Sequence, residues 1–279
     1  MTDWRREWFE IEGAAYLNAA AQSPLPRVAL QAAVQALEWK KFPHTIPDTT
    51  YFDLPNRART SVAKLIGANA EQIAITTGSS SGLAAVANGL DWKPGDEVLI
   101  AQREFPAHFT TWLPMQAAGK LKVIVIEPRG RFITANDFID HIGPRTRLVS
   151  TSLVRFDDGA LLDAAKVAQA CHSAGALLLL DAAQCAGAMP IDVRALGADF
   201  ITAAGYKWLL SPYGTGFFWA REEFNRTDAR RTLLLDGARR RRAISHALHR
   251  RVSVGKGGAQ VGFTGDGQLL ESRRHGRLA

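Results

Sequence analysis

Between about residues 73 and 220, short apolar, β-rich runs alternate with helical stretches, and this alternation most constrains the fold. The runs are IAITT (73–77), EVLIA (97–101), KVIVIE (122–127), RLVSTS (147–152), ALLLL (176–180), DFITA (199–203) and GTGFFW (214–219). They are short, continuous and apolar, as strands covered on both faces must be. Amphipathic segments such as ALLDAAKVAQACHSAG lie between several of them, and Gly175 there is a helix stop. The order implies an α/β fold: a mainly parallel seven-stranded sheet sandwiched by helices. Ligands of such sheets collect beyond the carboxyl ends of the strands.

The two ends of that kind richest in chemistry are LLLLDAAQ, which delivers Asp181, and DFITAAGYKWLLSPYGTGF, which delivers Lys207. A primary amine and a carboxylate on neighbouring strand ends suit pyridoxal phosphate (PLP). The amine forms the Schiff base, and the carboxylate keeps the pyridine nitrogen protonated. Singly, each residue would read as a surface lysine and a helix-capping aspartate. A third segment, ITTGSSSGLAAVANGL, runs strand, glycine turn, helix, and such a helix start holds phosphate through free N–H groups and the dipole. Gly78 permits the turn, and the Ser79 and Ser80 hydroxyls add donors.

A rival enzyme reading exists. Gly78-Ser79-Ser80-Ser81-Gly82 is formally G-x-S-x-G, the nucleophile elbow of α/β-hydrolases, with Ser80 as nucleophile. Asp181 or Asp199 would be the acid and His246 or His249 the base. That reading lacks an HGGG-type oxyanion segment and leaves Lys207 without a role.

Composition excludes several classes. No segment approaches the ~18–20 consecutive apolar residues of a membrane span. The start, MTDWRREWFEIEG, lacks a secretory apolar core. Two cysteines, Cys171 and Cys185, make neither a disulfide framework nor a zinc spacing, so the expected compartment is the cytosol. The net charge of +7 belongs to the end of the chain: residues 226–279 carry twelve Arg, one Lys and four acids, leaving 1–225 at −2. Nucleic acid is therefore not an expected partner of the main body, and the basic segment lacks aromatic stacking platforms.

With cradle, aspartate and lysine in order, the chain resembles the class V aminotransferase family of fold-type I PLP enzymes. That family includes cysteine desulfurases, selenocysteine lyases, kynureninases and isopenicillin-N-epimerase-like proteins. YLNAAAQSPLP, TTGSSSGL, PGDEVLIAQREFPA, LLLLDAAQCAGAMPIDVRALGADF and GYKWLLSPYGTGFFWA carry the resemblance, over residues 14 to 224. It implies that Lys207 holds the cofactor and shuttles a proton at the α-carbon of a small amino acid. Asp181 would pair with the ring nitrogen and Gln184 with the ring hydroxyl region. Gly78, Ser79 and Ser80 would hold the phosphate, with Tyr206 reaching it as well. Phe105 would stack on the ring, where many desulfurases have histidine. Thr215 would contact the phosphate of a partner subunit, since family sites lie at a homodimer interface.

Other features read as structural. His108 fits a solvated or capping residue on a helix's first turn. Asp157-Asp158 fits a loop leading into a helix, Cys185 a small core residue, and His246-x-x-His249 binds no metal. RVALQAAVQALEWKKF reads as a helix, YLNAAAQSPLP as a short strand or loop, and FPHTIPDTTYFDLPN as a proline-rich loop. The domains expected are 1–226, a large domain with an N-terminal arm, and 227–279, a basic tail. Family members continue for over a hundred residues past the lysine into a small domain, whereas 72 residues follow Lys207 here. The tail's Arg-, Gly- and Ala-rich makeup reads either as a basic, disordered binding segment or as a shifted reading frame. A truncated, non-catalytic remnant of the family is the second class of function.

Overall fold

The computed structural model describes residues 3–11, 13–225, 261–263 and 269–271. The chain divides into two units, 1–236 and 237–279. Among the described residues of the first, the helices are α1 (Trp4–Trp8), α2 (Arg27–Trp39), α3 (Thr50–Ile66), α4 (Ser79–Gly89), α5 (Pro106–Ala117), α6 (Ala135–Ile139), α7 (Ala164–Ser173), α8 (Val193–Leu196) and α9 (Glu222–Asn225). Its strands are β1 (Ile73–Thr76), β2 (Glu97–Ala101), β3 (Lys122–Ile126), β4 (Thr146–Ser152), β5 (Leu177–Asp181), β6 (Phe200–Ala204) and β7 (Gly216–Ala220). In the second unit β8 (Val261–Phe263) pairs antiparallel with β9 (Leu269–Glu271).

All seven expected strands form one sheet, in the order β1-β7-β6-β5-β4-β2-β3. Only β7 runs against its neighbours β1 and β6. Strand alternation sorts the apolar residues into two cores, one on each face. Leu99, Val149, Leu178, Leu180 and Ile201 face α3, α6 and α7, while Ile100, Leu148, Leu179 and Phe200 face α4 and α5. Because the side-chain period is two, Ser150, Ser152, Asp181, Thr202 and Ala204 project to the α4/α5 face. The strand-borne polar groups of the site described below arrive by that parity.

Two loop expectations change. YLNAAAQSPLP contains no strand. FPHTIPDTTYFDLPN is only half a loop: after a 3-10 turn at Pro43–Thr45, its second half is the start of α3, with Pro55 inside the helix. The carbonyl that Pro55 leaves without its helical partner belongs to an exposed turn, and Ala63 and Ile66 anchor the far end in the core.

The position of α4 depends on glycine. A Cβ on Gly82 would come 2.6 Å from Thr202 Cβ and 2.9 Å from the Phe218 ring. Helix and sheet therefore touch backbone to side chain, which brings the first turn of α4 to the end of β5. Gly82→Ala is expected to destabilise the fold by about 1–3 kcal/mol. Urea unfolding would show this as a lowered midpoint with an unchanged slope.

Candidate active site

Gly78 caps α4 with φ 153° and ψ −179°, a conformation almost confined to glycine. Its backbone lies so close to Gly216 that a Cβ there would fall 2.8 Å from Gly78 Cα. The helix consequently starts at the carboxyl edge of the sheet, with its first, unpaired N–H groups turned outward. Beside it opens a cavity of about 170 Å³. Its lining includes Gly78, Ser79 and Ser80 at the start of α4, the rings of Phe105 and Phe156, and Asp181, Gln184, Tyr206 and Lys207. The lysine and the aspartate thus open into one space.

Asp181 ends β5 and is buried, with 3% exposure. Its Oδ1 accepts from Ser79 Oγ and from the Ala183 N–H, both at 2.9 Å. Burial pushes its pKa above the ordinary carboxylate value, with His108, the Ala183 N–H and Ser79 opposing the rise. Lys207 follows β6 and is likewise buried, with 6% exposure. Burial lowers its pKa, partly opposed by Asp181, so more of the amine is neutral and nucleophilic. Its Nζ lies 5.1 Å from the Phe105 ring centroid and 5.9 Å from that of Tyr206.

The N-terminal arm braces this loop. The Ser23 N–H donates to the Tyr206 carbonyl at 2.9 Å. Gln184 Nε2 donates to Ala20 O at 3.0 Å and Gln184 Oε1 accepts from Trp208 Nε1 at 3.2 Å. Ser79's hydroxyl is engaged by Asp181, which leaves its backbone N–H as the donor for another ligand. Ser80 is exposed, and Ser81 is joined to Thr77 at 2.7 Å. Thr215 lies outside the lining, its hydroxyl donating to the Pro212 carbonyl at 2.5 Å.

His108 departs from expectation. It is fully buried, not solvated, because α5 lays it against β4. Nδ1 meets Ser150 Oγ at 2.9 Å, and Nε2 lies 4.0 Å from Asp181 Oδ2. Glu104 was also missed: its buried carboxylate receives Thr151 Oγ1, the Ser152 N–H and Oγ, and the Phe105 N–H, and Arg155 Nη1 stands 3.6 Å away. Burial alone would raise its pKa, but His108 and the Ser152 and Phe105 bonds outweigh that and hold it below the ordinary value. The signal for both was a buried strand, LVSTS, carrying three consecutive polar residues in need of partners.

Asp157 pairs with Arg155 and Arg103, and Asp158 caps the turn at Ala160. No metal-ligand cluster occurs among the described residues. Cys185 is a buried core thiol with its pKa pushed up to about 12, mainly by burial. No described helix is long and apolar enough to cross a membrane. Of the residues of the hydrolase reading, Ser80 lies within the first turn of α4 and lines the cavity with Asp181, while Asp199 sits at the other end of β6, bound to His172 and Arg221. His246 and His249 lie outside the described residues.

The family model for aminotransferase class-V matches residues 15–241. The chain belongs to this family. A probable cysteine desulfurase of Methanothermobacter thermautotrophicus is 32% identical over 224 residues, covering 78% of this chain and 55% of the relative. Isopenicillin N epimerase of Amycolatopsis lactamdurans is 28% identical, covering 74% and 54%. Among solved structures, a C-DES mutant with glycine covalently linked to its PLP cofactor aligns with a TM-score of 0.72 at 26% identity, covering 80% of this chain and 60% of that one. The chain thus spans little more than half the length of these relatives. The seven-stranded sheet is that of a fold-type I large domain.

Proposed function

We propose that this class-V aminotransferase-family chain binds PLP and acts on a small amino acid, with Lys207 as the amine that links to the cofactor. One observation carries the reading: a buried lysine and a buried carboxylate line a single cavity whose end is the start of a helix. The residues fit the cofactor group by group. The first turn of α4, with Ser80 and the Gly78–Ser79 backbone, would take the phosphate, and Tyr206, which lines the same cavity, would reach it. Asp181 Oδ2, the oxygen not used by Ser79 or Ala183, would meet the ring nitrogen. Phe105 would cover a ring face, and Gln184 would meet the ring hydroxyl. Bound PLP supplies an electron sink for charge developing at the substrate's α-carbon.

The chain's own residues do the rest. Lys207, with the Phe105 and Tyr206 rings beside its Nζ, would take the α-proton as a neutral amine and return it as the ammonium. Asp181 holds a proton at the ring nitrogen. Phe105 and Phe156, packed edge to face with centroids 5.4 Å apart, keep water from one side of the cavity. Thr215, turned away from its own cavity, is the residue we assign to a partner's phosphate in a homodimer. Residues 227–279 we read as a basic segment.

The test is purification with PLP, borohydride reduction and peptide mapping. A pyridoxyl mass on Lys207 is the expected result, followed by turnover of at least one amino acid in a panel covering transamination, elimination, desulfuration and epimerisation. Cofactor fixed at Lys207 with no turnover would favour the binding-only remnant, and no fixation would end the PLP reading.

A further inference from the structure

Resting on that cofactor reading, we infer that His108 is a positioning residue that aims the free Oδ2 of Asp181 at the cofactor's ring nitrogen, with Ser150 and Trp112 fixing the imidazole tautomer that does so. The argument begins with one hydroxyl. Ser150 Oγ is buried and has two neighbours, Trp112 Nε1 at 3.0 Å and His108 Nδ1 at 2.9 Å. An indole N–H can only donate, so Trp112 fills one acceptor site of the serine oxygen. The hydroxyl's own proton then has one place to go, His108 Nδ1. A neutral imidazole accepting at Nδ1 carries its proton on Nε2.

That Nε2–H is buried and has no hydrogen-bond partner. An unpaired buried donor is costly, and Asp181 Oδ2 lies 4.0 Å away. The other carboxylate oxygen is already held by Ser79 and Ala183. Two donors on Oδ1 and one facing Oδ2 fix the plane of the carboxylate and favour its ionised form. Oδ2 accepts no hydrogen bond within the chain, and Asp181 lines the cavity, so this oxygen is the one that would meet a ring nitrogen. The chain Trp112–Ser150–His108–Asp181 runs from α5 to β4, back to α5 and on to β5, so strand parity builds it. The titratable and charged groups facing Asp181 are His108 on α5, Glu104 before α5, Lys207 and Tyr206 beyond β6, and Cys185 after β5.

The test uses the full chain and two kinds of readout. Long-range ¹H–¹⁵N correlation on cofactor-free protein reports the tautomer, with His108 assigned by its loss in His108→Gln. The expected result is Nε2–H in the wild type and a tautomer mixture in Ser150→Ala. PLP titration then compares variants. His108→Phe is expected to raise the PLP Kd roughly tenfold and to move the acid limb of binding to higher pH, because Asp181 protonates more readily. His108→Gln, whose amide N–H replaces Nε2–H, is expected to bring Kd back to within about threefold. A purely structural role would lower Tm without moving that pH limb. An Nδ1–H tautomer, or His108→Phe with wild-type Kd and pH profile, overturns the inference while leaving the PLP reading intact. Wild type that binds no PLP removes the PLP reading first, and the inference with it.

Discussion

Lys207→Ala is expected to lower turnover of the best amino acid by about 10⁴-fold or more and to abolish borohydride fixation of the cofactor. Two tasks disappear together: the covalent link to PLP and the movement of the proton at the substrate α-carbon. Folding should not suffer. The Lys207 pKa is lowered in the folded state by burial, so the unfolded chain binds the extra proton more readily than the native one. Stability contributed at this position therefore improves as pH rises toward the unfolded value near 10.5, and at neutral pH the buried amine is a net cost. The cofactor-free variant should consequently melt no lower than the wild type. A small primary amine added to the assay should restore part of the turnover, because it can occupy the space left beside Phe105 and Tyr206. A variant that retained turnover within tenfold of wild type would remove Lys207 from the reaction altogether.

Much of this could be read in the sequence because buried parallel strands leave a direct trace. Runs such as ALLLL and EVLIA are apolar at every position, since both faces meet a core. A charged residue at the end of such a run, like Asp181, stands out for the same reason. The parts that were not legible depend on partners distant in sequence. His108 reads as a helix-start histidine until Ser150, 42 residues later, is seen beneath it. Glu104 is equally silent without Thr151 and Ser152. Phe105 and Phe156 meet across 51 positions, a pairing no local period announces. The beginning of α3 was hidden by prolines, whose local preference was overridden by the packing of Ala63 and Ile66 at its other end.

Asp181→Asn separates the aspartate's cost to the apoprotein from its value to the cofactor, and the two should have opposite signs. The native state raises the Asp181 pKa, chiefly by burial, so the folded protein binds this proton more tightly than the unfolded chain does. Wild-type stability therefore declines relative to Asp181→Asn as pH climbs from about 4 through the folded value, and the deficit is complete above it. Without cofactor at neutral pH, the asparagine variant should be the more stable of the two. Its Oδ1 can still accept from Ser79 and Ala183, so the first turn of α4 stays in place. Saturating PLP should reverse the ranking. Wild type gains the full ligand stabilisation, whereas the variant binds weakly because a neutral amide cannot hold a proton at the ring nitrogen. Turnover should fall about 10²–10³-fold, the scale expected when a preorganised charge is removed from a buried site. Thermal melts of both proteins across pH, with and without PLP, measure every part of this. If PLP raised Tm equally in both, Asp181 would not be touching the cofactor, and if the cofactor-free variant were the less stable one, burial would not be what raises the Asp181 pKa.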